Sequence, residues 1–302
     1  MKIVSTVSGY LETIKNLEEK YQQRDGLVDK PLFFYRGEEE CFETISSGLY
    51  LLKSKGKLDE TVFKTECSLI EDAKTRFPEI VKECSDNIDM LIRFQHYGLP
   101  TRLLDVSGNP LVALYFACGN RKNKRRGRVL ICTKGMTPYA NIQLLGSLLC
   151  TQCPIKLEKL ATKICCNSSN LEYTVILLSS LLREPLLFRA PQTNQRIKTQ
   201  DGAFIVTPLM KLIEDYNKIP LMELNKLREI DAIENDNGCL KEMFEPDYII
   251  IPAKAKEYIL DELDRIGINE STLFPDEEHK MHYLKDHHIR FNKYNGKFDL
   301  IF

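Results

Sequence analysis

Residues 91–118 read LIRFQHYGLPTRLLDVSGNPLVALYFAC, and this stretch decides how the rest of the chain is interpreted. Apolar side chains typical of a core are interrupted here by groups that usually work at a surface. These groups are Arg93, Gln95, His96, Tyr97, Thr101, Arg102 and Asp105. A polar side chain that shares a backbone with buried apolar ones must be paired inside the protein or face a cleft. We therefore expect the functional site in residues 95–105.

Helix and turn signals divide this stretch into three parts. Residues 86–97 are predicted to form a helix that ends at Gly98, because glycine suits the left-handed conformation after a helix. Residues 101–102 then form a turn. Asn109-Pro110 is typical of an N-cap followed by proline at the first helical position, which predicts a helix over 110–118.

Five other segments are rich in β-branched and aromatic residues and are predicted to be strands. They are residues 32–36, 128–133, 185–190, 203–207 and 247–252. The first strand ends on Arg36-Gly37, so we expect Arg36 at a sheet edge beside a flexible turn. Residues 9–24 and 59–77 have the apolar spacing of amphipathic helices. The pattern predicts an α+β fold, with a central mixed sheet surrounded by helices.

Length and composition indicate one domain with helical elaborations. Of the 302 residues, 43% are hydrophobic and 28% are charged, as in a globular protein. We assign residues 1–29 to an N-terminal helical extension and 286–302 to a charged C-terminal tail. The main domain then spans 30–285, with a mainly helical insertion around 135–183.

Hydropathy, cysteine content and charge restrict the location and the partners. The apolar runs are too short to cross a bilayer, and the N-terminus lacks the pattern of a signal peptide. The short apolar runs indicate no membrane partner. Ten cysteines in an unexported chain are expected to be reduced, which favours the cytoplasm. The net charge of -1 gives nucleic acid no overall attraction. Residues 121–128, RKNKRRGR, are a local candidate for nucleic-acid phosphate, and a solvated loop is the alternative.

Two groups of potential metal ligands lack the features of a known site. Cys150 and Cys153 are followed by an adjacent pair at 165–166, unlike the spaced pairs of a zinc ribbon. Four histidines between residues 279 and 288 lie in a charged segment that we expect to be exposed. We predict no metal site.

Several motifs, in order from about residue 30 to 285, resemble the FRG-domain family, which is named for its (F/Y)RG tripeptide. They are Phe34-Tyr35-Arg36-Gly37, Gln95–Asp105, Asn109-Pro110-Leu111, Ala113–Ala117, Arg196-Ile197, Gln200–Phe204 and Leu273-Phe274-Pro275-Asp276. The QHYGLPTRLLD string is the most specific of them. The resemblance implies little mechanism, because FRG domains are mostly described as uncharacterised and bacterial or phage-borne.

A more remote resemblance is to ADP-ribosyltransferases. A strand that ends Tyr35-Arg36-Gly37 is similar to their first motif, in which an Arg or His holds NAD. Tyr115-Phe116-Ala117 is similar to the Tyr-Phe-Ala segment of the poly-ADP-ribose branch. The resemblance implies an ADP-ribosyltransferase-like fold, with Gln200 or Asp201 in the place of the last polar residue of that fold.

The chemistry of the side chains indicates which of them would bind NAD, a dinucleotide with two phosphates and two riboses. Arg36 and Arg102 are fork-shaped cations suited to phosphate, and we assign cofactor binding to them with Gln95, Thr101 and Asp105. The alternative is that each arginine forms a structural ion pair, for example Arg102 with Asp105.

Three residues are candidates for catalysis. His96 would act as a general base or hydrogen-bond donor, and with Tyr97 it would shape the nicotinamide-ribose side. Gln200 would polarise the acceptor or the ribose. The alternatives are a satisfied histidine near a helix C-terminus and ordinary bonding of side chains to the backbone.

The leading hypothesis is an NAD-dependent ADP-ribosyltransferase-like enzyme, a toxin or phage-defence effector with an undefined macromolecular acceptor. The alternative is a non-catalytic or nucleic-acid-binding module that recognises a phosphorylated ligand with the help of residues 121–128. A phosphodiester-cleaving enzyme is a third interpretation, but the sequence lacks the acidic metal cluster that such chemistry normally needs.

Overall fold

The computed structural model describes residues 1–24, 32–57, 62–119, 121, 124–150, 181, 184–192, 194–208 and 236–295. Its centre is a seven-stranded sheet with the order β1-β7-β4-β2-β3-β6-β5. In chain order, the strands are β1 (Lys2–Ile3), β2 (Phe34–Glu38), β3 (Leu103–Ser107), β4 (Gly127–Cys132), β5 (Leu186–Phe188), β6 (Gly202–Val206) and β7 (Tyr248–Ile251). The β1–β7 pair is parallel and the other neighbouring pairs are antiparallel, so the predicted mixed sheet is confirmed.

Helices surround the sheet, as predicted. Those in the first half of the chain are α1 (Val7–Arg24), α2 (Gly48–Ser54), α3 (Val62–Arg76), α4 (Pro78–Lys82), α5 (Asn87–His96), α6 (Pro110–Cys118) and α7 (Tyr139–Leu149). Those that follow are α8 (Gln195–Thr199), α9 (Asn237–Lys241), α10 (Lys256–Arg265), α11 (Glu270–Leu273) and α12 (Glu277–Asn295), with a 3₁₀ turn at Ala253–Ala255.

The helix boundaries within residues 91–118, which we call the central motif, follow the predicted signals. Gly98 has a φ of 92° directly after the end of α5, in the left-handed region. At the start of α6, the Asn109 side chain accepts a hydrogen bond from the backbone N–H of Leu111, with Pro110 in the first turn. These local rules succeed because cap geometry depends on a few neighbouring residues.

The prediction of a turn followed directly by a helix missed the strand β3. Its five residues pair with β6 along their whole length, from Leu103 opposite Val206 to Ser107 opposite Gly202. Both faces of β3 carry buried side chains, so the segment lacks the apolar–polar alternation of a half-exposed strand. The five predicted strands are present as β2, β4, β5, β6 and β7.

The expectation that Arg36 lies at a sheet edge beside a flexible turn is wrong. Its strand, β2, has β4 on one side and β3 on the other, and the strand continues through Gly37 to Glu38. A Cβ atom at Gly37 would overlap the backbone carbonyl of Ala113 in α6. Gly37 is therefore required because a helix backbone lies directly against the strand there.

One face of the sheet carries two separate apolar layers. Under α1, α6 and α10, side chains of β2, β4 and β7 pack around Tyr35, Val129 and Ile249. Under α5 and α7, side chains of β3, β5 and β6 pack around Leu103 and Phe204. The Tyr35–Ser107 pair places both layers on the same face, since side chains alternate along a strand. The boundary between the two layers is where a polar side chain can reach the surface.

The N-terminal residues contribute to this core. The apolar side of α1 packs into the layer above β2, β4 and β7, and β1 adds an edge strand beside β7. Of the insertion predicted around 135–183, α7 is described and residues 151–180 lie outside the described residues. The charged tail predicted from residue 286 begins inside α12. Among the described helices, none is long and apolar enough to cross a membrane.

Candidate functional site

Asp105 lies in the middle of β3, at the boundary between the two apolar layers. It pairs with Phe204 across the sheet, and its side chain is exposed to solvent. Desolvation by the surrounding protein nevertheless raises the pKa of the Asp105 carboxyl, while the Arg36 and Arg196 guanidinium groups act to lower it. We refer to the solvent-accessible surroundings of Asp105, between the two apolar layers, as the cleft.

A hydrogen-bonded chain of residues from the central motif holds Asp105 in place. The Gln95 amide nitrogen donates to Asp105 Oδ2 at 2.8 Å. The Thr101 hydroxyl donates to the Gln95 amide oxygen and accepts from the backbone N–H of Leu103. The end of α5 is thereby tied to the start of β3. Asp105 Oδ1 has no hydrogen-bond partner among the residues that the structure describes, so it is available to a ligand.

Arg196, on the short helix α8, supplies a cation that lies near enough to this carboxylate to act on its pKa. Its guanidinium carbon lies 4.6 Å from the centre of the Phe274 ring, a cation–π contact. Burial lowers the pKa of Arg196, and the carboxylates of Asp105 and Asp276 act to raise it. Asp105 and Arg196 therefore lie close enough for each to affect the pKa of the other.

The guanidinium of Arg196 lacks the hydrogen bonds that a half-buried arginine usually has. Its Nε is buried without a partner, and its terminal nitrogens make no hydrogen bond to any described residue. The terminal nitrogens are absent from the fully buried atoms without a partner, so they keep access to solvent. An arginine with this many free donors beside a cleft fits an anion-binding role.

The Phe274 ring that contacts the Arg196 guanidinium is itself packed against two other rings. The Phe274 ring stacks on the His279 ring at 4.6 Å with an interplanar angle of 14°, and Phe116 of α6 meets Phe274 edge-on at 6.1 Å. The loop between α11 and α12 therefore holds the flat surface on which the guanidinium lies.

His96, the last residue of α5, contacts the residue that caps the start of α8. Its Nδ1 is 3.0 Å from the side-chain nitrogen of Asn194, the N-cap residue of α8. Burial, together with the cations of Arg196 and Arg93, lowers the pKa of His96 to about 4, and Asp89 acts in the opposite direction. His96 is therefore neutral at pH 7, which favours a hydrogen-bond donor role over that of a cation.

Arg36 approaches Asp105 from the opposite face of the sheet. Its NH1 donates to the backbone carbonyl of Asp105 at 2.9 Å, and its Nε donates to Glu38 at 3.0 Å. Glu38 also accepts from Arg128 at 2.7 Å. β2 and β3 share one register pair, Tyr35 with Ser107, so Arg36 bonds a carbonyl that the ladder leaves open. Its contacts support the strand that carries Asp105.

Arg102 is placed away from the cleft. Its side chain is 1% exposed and forms a two-pronged ion pair with Glu66 of α3. The guanidinium also donates to the backbone carbonyl of Pro208 at 3.0 Å. The alternative that Arg102 pairs with Asp105 is wrong. Arg102 directly precedes β3, and because side chains alternate along an extended chain, it points to the face opposite Asp105. The geometry is that of a structural ion pair.

The other two residues predicted to be catalytic, Gln200 and Tyr97, differ in burial and in hydrogen bonding. The Gln200 side-chain amide donates to the backbone carbonyl of Leu273 at 3.0 Å, and the Gln200 backbone carbonyl accepts from the Ser107 hydroxyl. Gln200 therefore ties α8 and β6 to the end of α11. Tyr97 is 75% exposed and directly follows His96 in the chain. The structure thus joins Gln95, Thr101 and Asp105 by hydrogen bonds and places His96 against Asn194. It leaves Tyr97 exposed and uses Gln200 as a support.

The sequence interpretation missed three contributors to this cleft: Asn194, Arg196 and Phe274. Arg196 and Phe274 belong to motifs that resemble the FRG family, but they lie far along the chain from the central motif. The sequence signal for these two residues was the similarity of their segments to motifs of the FRG family. Which side chains of distant motifs meet depends on the sheet order, which places β6 beside β3.

The other candidate segments are largely engaged in ion pairs. In the basic segment 121–128, Arg121 pairs with Asp261 and Arg125 with Glu40. On α12, His282 pairs with Glu270 at 2.9 Å. Within the described part of the chain, no three His, Cys, Asp or Glu side chains gather as a metal site would require. Cys153 and the pair at 165–166 lie outside that part.

Comparison with known proteins adds one finding. The model of the FRG domain family matches residues 32–126, which include β2, α5, β3 and α6. No curated protein and no solved structure matches the chain. The matched region contains Asp105 and the residues that hold it, whereas Asn194, Arg196 and Phe274 lie beyond its end.

Proposed function

We propose that this cleft binds a nucleotide through its phosphate, and that the protein is an NAD-using enzyme of the ADP-ribosyltransferase type. One observation carries the proposal: the Arg196 guanidinium, free of hydrogen bonds to the described residues, lies near enough to the accessible Asp105 carboxylate for each group to shift the pKa of the other. A free arginine suits a phosphate, and a carboxylate with an open oxygen suits a ribose hydroxyl.

The choice of NAD rests on the resemblance of β2 to the first ADP-ribosyltransferase motif. Tyr115-Phe116-Ala117 contributes nothing to the proposal, because these residues lie in the helix α6. The proposal replaces Arg36 and Arg102 by Arg196 as the phosphate ligand, since the first two cations are engaged by Glu38 and Glu66. A role as a toxin or phage-defence effector follows from the family resemblance alone.

The proposed reaction breaks the bond between the ribose C1′ of NAD and the nicotinamide nitrogen. Nicotinamide leaves with the electron pair of that bond, and an acceptor nucleophile forms the new bond to C1′. Asp105 Oδ1 takes the proton that the nucleophile loses. Its raised pKa suits a general base, because a carboxylate closer to neutrality is the stronger proton acceptor.

Other residues of the cleft have positioning roles in this proposal. Gln95 and Thr101 hold the second oxygen of Asp105, which leaves Oδ1 directed to the substrate. Tyr97 offers an exposed ring against which a nucleotide base can pack. The cytoplasm is the proposed location, and the seven described cysteines are all free, as expected there.

The test is nicotinamide release from NAD by the purified protein, followed by chromatography. We expect saturable release that ADP-ribose inhibits, because ADP-ribose carries the diphosphate and both riboses. A protein heated until unfolded serves as the blank. Release no faster than the blank at millimolar NAD would refute the enzymatic proposal. If ADP-ribose still binds under those conditions, the non-catalytic module that recognises a phosphorylated ligand becomes the better description.

A further inference from the structure

Asn194 contacts both cleft residues that offer donors to an anion. Its side-chain oxygen accepts from the backbone N–H of Arg196 at 2.8 Å, which caps the start of α8. Its side-chain nitrogen faces His96 Nδ1 at 3.0 Å. A single side chain therefore fixes the start of the helix that presents Arg196 and, through its other atom, contacts His96.

These two contacts determine the tautomer of His96. A backbone N–H can only donate, so the atom that caps α8 must be the amide oxygen, and the atom facing His96 must be the amide nitrogen. That nitrogen donates, so His96 Nδ1 must accept and the proton of the neutral ring must be on Nε2. His96 Nε2 has no hydrogen-bond partner among the described residues, and it is absent from their fully buried atoms without a partner.

We propose that Asn194 is a positioning residue that fixes His96 as a neutral Nε2–H donor, so that His96 and Arg196 together form a binding site for one phosphate group. The site takes a phosphate oxygen between a neutral donor and a permanent cation. The inference rests on the proposed function only where it assigns the anion to a nucleotide. The binding of a simple anion at this site does not depend on that assignment.

The arrangement makes anion binding insensitive to pH near neutrality. The charged groups that act on His96 are Arg93 and Asp89 from α5 and Arg196 from α8, and their net effect, with burial, is a pKa of about 4. His96 therefore stays neutral from about pH 5.5 upward, about 1.5 units above that pKa. Arg196 keeps its charge through the same range.

The test uses Asn194→Asp, which keeps the shape of the side chain and is itself a good N-cap. A carboxylate oxygen beside His96 Nδ1 accepts a proton, so the neutral ring moves its proton to Nδ1 and the imidazolium becomes easier to form. Above the raised pKa, Nε2 then presents a lone pair to the anion. Inorganic sulfate is the probe, because it does not titrate in this range.

In the wild-type protein, we expect ¹⁵N NMR to show neutral His96 with the proton on Nε2 at pH 7. We also expect sulfate affinity to stay constant from pH 5.5 to 8. In Asn194→Asp, sulfate binding at pH 8 should weaken about tenfold, the effect of losing one hydrogen bond to a charged group, and should recover on acidification. Unchanged sulfate affinity in the variant, or a wild-type ring protonated on Nδ1, would overturn the inference.

A second variant covers the case in which Asn194→Asp does not fold. Asn194→Ser caps the helix with its hydroxyl but is too short to direct a donor at His96. We expect its His96 ring to populate both neutral tautomers, and an unchanged Nε2–H spectrum would contradict the inference. Sulfate binding that follows these expectations without nicotinamide release would retain the anion site and reject the NAD proposal.

Discussion

Replacing Arg196 by methionine is expected to weaken ADP-ribose binding about 10- to 100-fold, the range for a lost hydrogen-bonded contact to a charged group. Of the two guanidinium groups that act on the pKa of Asp105, the change removes the one without hydrogen bonds to the described residues, because Arg36 donates to Glu38 and to the Asp105 carbonyl. Methionine keeps an apolar side chain over the Phe274 ring, and sulfur contacts aromatic rings favourably. The loss would therefore report the charge and its hydrogen bonds rather than a collapsed stack.

Lys198→Met is the matched control for this measurement. Lys198 is on the same helix, is exposed, and carries the same charge, so its removal changes the net charge of the protein equally. We expect isothermal titration to show wild-type affinity for ADP-ribose in the control. Equal weakening in both variants would indicate a general electrostatic effect and would remove Arg196 from the proposed site.

The second large effect is expected at the buried ion pair of Arg102. Arg102→Met leaves the Glu66 carboxylate, 3% exposed, without its cation, and breaking a buried pair in this way costs about 3–5 kcal/mol. Burial alone would lower the pKa of Arg102, but Glu66 holds it above its ordinary value. The free energy of unfolding, measured by urea denaturation, should fall by that amount.

Two further variants test whether the loss of stability comes from the buried ion pair. The double variant Arg102→Met/Glu66→Leu should recover most of the lost stability, because replacing both members of a buried pair by apolar residues is often neutral. Arg121→Met, which breaks the more exposed pair with Asp261, should cost less than about 1 kcal/mol. If Arg102→Met is as stable as Arg121→Met, the buried pair does not have the structural role described above.

The central motif shows how far the sequence alone could lead. The end of α5 at Gly98 and the start of α6 at Asn109-Pro110 were predictable, because caps are local. β3 was not, because both of its faces carry buried apolar side chains and the segment is short. A strand of this kind is defined by its partner β6, which is almost a hundred residues away along the chain.

The site residues divide in the same way. Gln95, Thr101 and Asp105 are within one short segment, and the structure joins them by hydrogen bonds. Arg102 is in the same segment but points to the other face of the strand, because consecutive residues alternate. Arg196 reaches the cleft through the sheet order and the loop after α11, and neither is evident from local pattern.

The most direct test of the account is a crystal structure of the protein with ADP-ribose. We expect a phosphate oxygen within hydrogen-bond distance of the terminal nitrogens of Arg196 and of His96 Nε2, with a ribose hydroxyl donating to Asp105 Oδ1. A phosphate bound instead beside the basic residues 124–128 or beside Arg36, with an empty cleft at Asp105, would contradict it.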